Sequence, residues 1–296
     1  MYFPYLRGKM YELLAIRDLI EKDLINKKYV SPIIEPVKDN STFESLIRIA
    51  GDKNYTLNII SNPQVGEFED KAKLNDLIKN YGMRNSILVF KNSKPNFNDS
   101  DLLFYKSPVR ILTSEDSNTY NVIPDSLIYR SKIENVTKSI VFQDCFKKKE
   151  RNADYPDQIE EDFSDYHIVY KAAKYYGFGD YSIIGDNYSN SGFAPHAVAI
   201  HIIYFDNNDS LKIRHFVSDS NDDIKDVGNK LHEALNKFAK WYKSDDFNNS
   251  KNDSMALKEL YEIHQKDKYT GLGYLKKLEI MHHLEIMNRY LSKVEG

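Results

Sequence analysis

Short apolar runs alternate with helical patterns through the first half of this chain, and that alternation restricts its fold more than any other feature. Strand-like runs are predicted over residues 2–6, 31–37, 55–61, 86–90, 109–113, 127–129 and 138–142. Helices are predicted between the first of these runs, over residues 10–25, 43–50 and 72–81. Strands that alternate with helices form βα units, and the strands of such units pair in parallel.

We therefore expect an α/β fold with a modified (β/α) TIM-barrel-like body. No glycine-rich phosphate-binding fingerprint follows any of the predicted strands. A doubly wound sheet that binds nucleotides usually carries that fingerprint, so we prefer the barrel and keep the doubly wound sheet as the alternative. The barrel predicts that the first six strands run mostly parallel.

Two later apolar runs, at residues 197–205 and 211–217, flank a turn of Asp, Asn and Ser residues and predict an added β-hairpin. The turn sets three cross-strand pairs: Phe205 with Leu211, Ile203 with Ile213, and His201 with His215. Because side chains alternate along a strand, both histidines are expected on one face of the hairpin.

The remainder of the chain divides into a polar stretch and a helical end. Residues 147–165 are strongly charged and too long for an ordinary βα loop, so we expect a lid or binding loop there. A helix over 167–176 and a strand over 181–185 are predicted to follow it. Helices over 223–243, 256–264 and 273–291 complete the chain. We expect a body at 1–220 that includes the hairpin, and a C-terminal helical section at 221–296 packed on it.

Composition excludes several classes of protein. The formal charge of -3 argues against broad electrostatic binding to nucleic acid, although the basic run at 147–151 is a local exception. No apolar run approaches the roughly 20 residues that a membrane span requires. A single cysteine, Cys145, allows no internal disulfide, and the first residues lack a signal-peptide pattern. We expect a cytoplasmic protein that makes no membrane contact.

Polar side chains follow several of the predicted strands and form the first candidate site. They are Arg7, Lys9, Glu35, Asn62, Lys91 and Asp144. Carboxyl ends of barrel strands meet at one rim, so Arg7, Lys9, Glu35 and Asp144 are expected to converge there. Glu35 and Asp144 are the candidate catalytic carboxylates, and Arg7 is the main candidate contact for a phosphate or carboxylate. The alternative is a structural ion pair between Arg7 and Glu35.

Two polar residues outside the strand ends are candidates for completing that pocket. Arg151 lies in the charged stretch, and Asp186 lies in the polar loop that follows the strand predicted at 181–185. We expect both to contact a ligand. If the rim forms a cavity, replacing Arg7 by Ala should abolish function at little cost in stability.

The histidine pair of the hairpin is the second candidate site. His201 and His215 could act as general acid and base near neutral pH. As metal ligands they would need a third group, for which Asp186 or Asp219 could serve, and no metal site is assigned. The alternative is a pair of core histidines. His282 and His283 sit in a helical pattern, and packing of that helix is favoured over a zinc site.

Several segments together resemble one known family. They are residues 2–9 (YFPYLRGK), 33–37 (IIEPV), 151–156 (RNADYP), 178–186 (FGDYSIIGD), 197–201 (AVAIH), 214–218 (RHFVS), 271–273 (GLG) and 281–283 (MHH). In this order, and over nearly the whole chain, they resemble the Beta protein family of bacterial and phage proteins, in its bacterial branch. The family carries no established reaction. The resemblance implies a cytoplasmic, barrel-like protein encoded near mobile or phage-related genes.

Two functions follow from these observations. The first is a module of a bacterial or phage conflict system, either phage-defence or toxin-related, that acts through a protein from a neighbouring gene or a small anionic ligand. The second is a barrel hydrolase that acts on a nucleotide or phosphoester with its rim of Arg, Lys, Glu and Asp residues. No cofactor motif is present, and the residues leave open whether the chain is an enzyme.

Overall fold

A computed structural model describes residues 1–68, 70–92, 100–107, 118–131, 138–189 and 194–296. The chain divides into two compact units by its internal contacts. The barrel unit comprises Met1–Asp144 and Tyr166–Tyr181, and the second unit comprises Cys145–Asp165 and Ser182–Gly296. The hairpin therefore groups with the C-terminal helices, whereas the sequence analysis grouped it with the barrel.

The secondary structure of the described residues is as follows. The strands are β1 (Tyr5–Leu6), β2 (Ile33–Ile34), β3 (Asn58–Ile60), β4 (Arg84–Val89), β5 (Leu102–Tyr105), β6 (Tyr120–Pro124), β7 (Ser139–Phe142), β8 (Glu160–Ser164), β9 (Gly177–Gly179), β10 (Ala199–Phe205) and β11 (Leu211–Val217). The helices are α1 (Met10–Glu21), α2 (Ser41–Asp52), α3 (Lys71–Asn80), α4 (Leu127–Arg130), α5 (Tyr166–Val169), α6 (Val227–Tyr242), α7 (Asn249–Asn252), α8 (Met255–Gln265) and α9 (Leu272–Glu295).

The barrel unit is a nearly closed parallel β-barrel, which confirms the predicted α/β barrel. Its sheet has the order β1-β2-β3-β4-β5-β6-β7-β9, and every neighbouring pair is parallel. Tyr2 forms a parallel bridge to Phe178, which joins the last strand to the first. The N–H of Phe3 donates to the carbonyl of Phe178 at 2.8 Å, and the N–H of Tyr5 donates to that of Asp180 at 2.9 Å.

Aromatic side chains fill the interior of this barrel. Phe3, Tyr5, Phe104, Phe142 and Tyr181 are all buried in one core cluster with aliphatic residues from the other strands. The ring centroids of Phe104 and Phe142 lie 4.8 Å apart, and those of Phe142 and Tyr181 lie 4.9 Å apart, both in edge-to-face geometry. Large rings let very short strands enclose a filled core, because each ring buries far more area than an aliphatic side chain.

The second unit is built around an antiparallel sheet with the order β10-β11-β8. The predicted hairpin register is confirmed, since His201 lies directly opposite His215 and Phe205 opposite Leu211. Helix α6 packs on β10 and β11, with Phe238 and Trp241 against Phe216. Helix α9 packs on β10 and is joined by α8.

Several predicted elements differ from the structure. Residues 127–129 belong to helix α4 rather than to a strand, because Ser126 accepts the first helical hydrogen bonds there. The strand expected at 181–185 lies earlier, as β9, and the helix expected at 167–176 is the single turn α5. The strand predicted at 109–113 lies outside the described residues, and the strands β5 and β6 were not predicted.

The charged stretch 147–165, predicted to be a lid or binding loop, also differs from the structure. Its last residues form β8, which pairs with β11 and extends the hairpin to three strands. Strand β8 reads Glu-Glu-Asp-Phe-Ser, with three acidic residues in succession, so it carries no apolar alternation that would reveal a strand. Tertiary pairing outweighs the weak strand propensity of these residues.

No helix among the described residues has both the length and the apolar character needed to cross a membrane.

The closing strand β9 predicts a stability effect at Gly179. A Cβ atom on Gly179 would lie 2.3 Å from the carbonyl oxygen of Phe3 and 2.7 Å from the ring of Phe142. We call the junction between β9 and the first residues of the chain the seam. Replacing Gly179 by Ala should lower the free energy of unfolding by about 1–3 kcal/mol, because the two sides of the seam must move apart to admit the methyl group. Urea denaturation measures the effect.

Gly228 is the matched control, because a Cβ on it meets only one side-chain oxygen, at 3.9 Å. Gly228 lies inside helix α6, so its replacement by Ala should keep or raise stability by up to about 1 kcal/mol. Equal changes in the free energy of unfolding for the two substitutions would contradict the close packing of Gly179 at the seam.

Candidate functional site

Arg7 and Glu35 meet at the carboxyl end of the barrel, directly after β1 and β2. An Arg7 guanidinium nitrogen lies 2.5 Å from Glu35 Oε2, and the hydroxyl of Tyr5 donates to the same oxygen at 2.6 Å. The second oxygen, Oε1, accepts the backbone N–H of Gln64 at 2.7 Å. Glu35 is fully buried and Arg7 is 5% exposed. The structural ion pair that the sequence analysis held as its alternative is therefore present.

These contacts restrict what Glu35 can do chemically. Both of its oxygens already accept hydrogen bonds from Arg7, Tyr5 and Gln64. Burial and the neighbouring carboxylate raise the pKa of Tyr5 well above its usual value, so its hydroxyl stays a donor. A carboxylate held in this way orients the guanidinium of Arg7 and is poorly placed to accept a proton from a substrate. A catalytic role for Glu35 stays a prediction.

Lys106 is the residue of this cluster that the sequence analysis missed. It follows β5 and is half-buried, and its Nζ lies 2.5 Å from the hydroxyl of Tyr181. The same Nζ lies 5.6 Å from the ring centroid of Tyr5 and 5.1 Å from that of Tyr181. The guanidinium carbon of Arg7 lies over the same two rings, at 5.1 and 5.4 Å. The two cations therefore lie over the same two tyrosine rings, which we call the aromatic floor. We call the whole cluster the cationic mouth; it consists of Arg7, Lys106, Tyr5, Tyr181 and Glu35.

The other predicted rim residues have different surroundings. Lys9 is half-buried and precedes α1 as its capping residue. Asn62 bonds the backbone of Leu88 twice, as donor and as acceptor, which ties the end of β3 to β4. Lys91 is exposed in a turn after β4, and Asp144 is exposed two residues beyond β7. Ligand contacts by these four residues stay predictions.

The histidine pair of the second unit forms a hydrogen-bonded chain. Nδ1 of His201 lies 2.8 Å from Nδ1 of His215, and Nε2 of His215 lies 3.1 Å from Oε2 of Glu161. The rings of Phe146 and Tyr155 pack on both imidazoles, with centroid distances between 4.6 and 6.5 Å. Burial, His215 and the charge of Lys276 lower the pKa of His201 well below its usual range. Burial also lowers the pKa of His215, although Glu161 opposes the shift.

The carboxylates around this pair are not the ones that the sequence analysis named. Glu161 on β8 contacts His215, and Oε1 of Glu279 on α9 accepts the backbone N–H of His201 at 3.1 Å. Asp219 instead binds Lys237 at 2.6 Å, and Asp186 is exposed. Among the described residues, no group of three His, Cys, Asp or Glu side chains is arranged to hold a metal ion.

Glu279 has an unusual environment for an acid. It is 4% exposed, and burial raises its pKa to about 7, against the weaker opposing effects of the His201 N–H and Lys276. The sequence places Glu279 on one helical face with His283, but it gives no indication that Glu279 contacts His201. Only the packing of α9 on β10 shows that it contacts the backbone of His201.

The adjacent histidines of α9 are structural, as the sequence analysis favoured. His282 lies 2.9 Å from the hydroxyl of Ser254 and 2.8 Å from the carbonyl of Ile203, and burial lowers its pKa to about 3. His283 lies 2.9 Å from the hydroxyl of Ser182. Both are completely buried and anchor the helix to its neighbours.

Arg151 lies in the second unit, where it pairs with Asp154 through two contacts of 2.6 and 3.0 Å. It is exposed and lines a cavity of about 990 Å³ together with Asn152, His196 and Lys276.

Comparisons of this chain with protein-family models, with curated proteins and with solved structures gave no significant match.

The buried ion pair of the cationic mouth predicts a large stability effect at Arg7. The sequence analysis expected Arg7→Ala to cost little, but the substitution leaves the buried charge of Glu35 without its cation. We expect it to lower the free energy of unfolding by about 3–5 kcal/mol. Combining it with Glu35→Gln should cost less than the sum of the two single substitutions. Additive effects in urea denaturation would contradict this coupling.

The raised pKa of Glu279 predicts how stability depends on pH. Between about pH 4.5 and about pH 7 the unfolded chain releases the Glu279 proton while the folded chain retains it, so this group lowers stability as pH rises. Glu279→Gln removes the effect and still accepts the N–H of His201. The variant should match the natural protein near pH 4.5 and exceed it by about 3 kcal/mol at pH 8. Denaturation curves of both proteins at each pH measure the difference, and a difference that does not vary with pH would refute it.

Proposed function

We propose that this protein binds a small anionic ligand, with a phosphate or carboxylate group, at the cationic mouth of its barrel. The observation that carries the proposal is the placement of Arg7 and Lys106 over the same two tyrosine rings. Loops and side chains at the carboxyl end of barrel strands are the usual place for ligands in this architecture. The position of the two cations at this end of the barrel and their positive charge therefore both support an anion-binding site.

Arg7 and Lys106 contribute differently to such a site. Arg7 is nearly buried and is oriented by Glu35, so its position is fixed before a ligand arrives. Lys106 is half-buried, so its ammonium is the cation that an incoming anion reaches first. The hydroxyl of Tyr181 adds a neutral hydrogen-bonding group beside it. A fixed guanidinium and an accessible ammonium together suit a phosphate or carboxylate group.

Binding is better supported at this mouth than hydrolysis. Hydrolysis of a phosphoester needs a group that accepts a proton from water, and the buried carboxylate of the mouth already has both oxygens occupied. Asp144, the other candidate carboxylate, is exposed beyond β7. The barrel hydrolase therefore remains the second candidate.

The wider setting follows from the resemblance to the Beta protein family. That resemblance supports a cytoplasmic role in a bacterial or phage conflict system, with a protein partner encoded nearby. In such a system, a bound anion would report a metabolite or nucleotide to the partner. Co-purification of the chain with a product of a neighbouring gene, dependent on Lys106, is the observation that would join the two parts of the proposal.

Lys106→Met tests the anion site directly. Inorganic phosphate and pyrophosphate should raise the melting temperature of the natural protein above that in sodium chloride of equal ionic strength, because a ligand of the folded state stabilises it. The variant should fold and lose affinity by about tenfold or more, the effect of one charged hydrogen bond. Isothermal titration measures both affinities.

Lys79→Met is the control, because it removes the same charge from an exposed position on α3. It should bind phosphate as the natural protein does. Equal loss in both variants would show a general charge effect, and no stabilisation of the natural protein by either anion would refute the proposal.

A further inference from the structure

Exposed apolar side chains of the barrel unit concentrate on the short helices α4 and α5. Leu127 is 82% exposed and Ile128 is 53% exposed on α4, and Ile168 and Val169 are each 45% exposed on α5. Across the whole described part of the chain eleven large apolar side chains are exposed, and these two single-turn helices hold four of them. Single exposed apolar residues are ordinary, but a cluster of them marks a site of interaction.

A cavity of about 480 Å³ connects the two helices. Arg130 of α4 and Val169 of α5 both line it, and the ring of Tyr170 and the side chains of Ala172 and Ala173 add to its apolar wall. Each helix has four residues and is therefore only about 6 Å long, so all of the exposed apolar residues lie near the cavity. A cavity of this volume can enclose a large side chain.

The charged side chains that line this cavity are mostly positive. They are Asp125, Arg130 and Lys174. Two nitrogens of Arg130 donate to the two oxygens of Asp125 at 2.6 and 2.7 Å, which neutralises this carboxylate. The Arg130 side chain is 56% exposed, so its third nitrogen can bind a ligand. Lys171, three residues before Lys174, is a further exposed cation of the same segment.

A buried hydroxyl in the cavity wall calls for an acceptor. Tyr175 lines the cavity and is 7% exposed, and its hydroxyl has no hydrogen-bond partner in the described part of the chain. Burial and the charge of Asp125 raise the pKa of Tyr175, against the opposing effect of Arg130, so the hydroxyl stays a donor. A buried donor without an acceptor is unfavourable, and an oxygen atom of a bound molecule would remove that penalty.

These features favour one kind of occupant over two others. A second copy of the chain would place the same cations against each other, because a two-fold contact pairs a surface with itself. A lipid bilayer would leave the cavity unfilled, and electrostatic attachment to anionic lipid uses clusters of about four to eight cations, more than this surface has. A protein segment with an apolar side chain beside a carboxylate would fill the cavity and supply the acceptor.

We propose that the barrel unit binds a partner protein here, through a segment of the partner in which a large apolar side chain lies next to Asp or Glu. We call the site the α4–α5 surface; it consists of Leu127, Ile128, Arg130, Ile168, Val169, Lys174 and Tyr175. The apolar side chain enters the cavity against Val169, and the neighbouring carboxylate accepts from Arg130 and Tyr175. The proposal is independent of the anion site at the cationic mouth, which uses other residues.

Random 12-residue peptides displayed on phage are the probe. Panning on the full-length natural protein should enrich peptides in which Trp, Phe or Leu lies next to Asp or Glu. Val169→Asp should weaken binding of an enriched peptide by at least about tenfold, because it places a carboxylate in the cavity that the apolar anchor fills. Leu127→Ser should also weaken it, and this side chain is too exposed to be needed for folding. Fluorescence anisotropy of the labelled peptide measures each affinity.

Ile224→Asp is the matched control, because Ile224 is an exposed apolar residue of the second unit, at 52%. It should bind the peptide as the natural protein does. Circular dichroism melts show whether each variant folds.

The charge of the surface is tested separately. Lys174→Glu should weaken binding of the same peptide and make the affinity less sensitive to sodium chloride, since it removes an attraction that salt screens. Lys79→Glu makes the same change of charge at an exposed position on α3 and should leave the affinity unchanged.

The proposal fails if no peptide is enriched, if the enriched peptides carry Lys or Arg in place of Asp or Glu, or if they bind Val169→Asp and Leu127→Ser as they bind the natural protein. Sedimentation that shows a dimer of the natural protein but not of Val169→Asp would assign the surface to a second copy. Flotation with phosphatidylserine vesicles that this substitution abolishes would assign it to a membrane. Either of these results also overturns the proposal.

Discussion

Closure of the parallel sheet is the constraint on which the barrel unit depends. Tyr2 must bridge Phe178, and the two backbone hydrogen bonds beside that bridge complete the ring of strands. The closing strand reads Gly-Phe-Gly, and its glycines allow it to approach the first strand more closely than any side chain would permit. The chain leaves the barrel after β7 to form β8 and returns for β9. Closure therefore joins residues that are far apart in the sequence, so it carries a cost in loop-closure entropy.

Closure also creates the cationic mouth. Arg7 and Glu35 follow neighbouring strands, while Lys106 follows a strand on another part of the ring. Tyr181 follows the closing strand, so the aromatic floor that both cations share exists only in the closed barrel. The buried charge of Glu35 is tolerated because a cation, a phenol and a backbone N–H all donate to it.

The buried titratable groups of the second unit are stabilised differently from the ion pair of the barrel unit. Burial lowers the pKa of His201 and of His215, which favours their neutral forms, and it raises the pKa of Glu279 to about 7. Neutral groups avoid most of the desolvation penalty that an ion pair would carry.

The sequence by itself determined the local features of both units. Strand–helix alternation predicted the parallel barrel, because each strand of a βα unit must be followed by a crossover. Five turn residues fixed the pairing of His201 with His215, because a hairpin register depends only on its turn. The tertiary structure decided which groups meet. No sequence pattern marks the contacts of Lys106, Glu161 and Glu279. The partners of Glu161 and Glu279 lie more than 50 residues away in the sequence. Contacts of that kind depend on how the strands and helices pack, and no local periodicity encodes them.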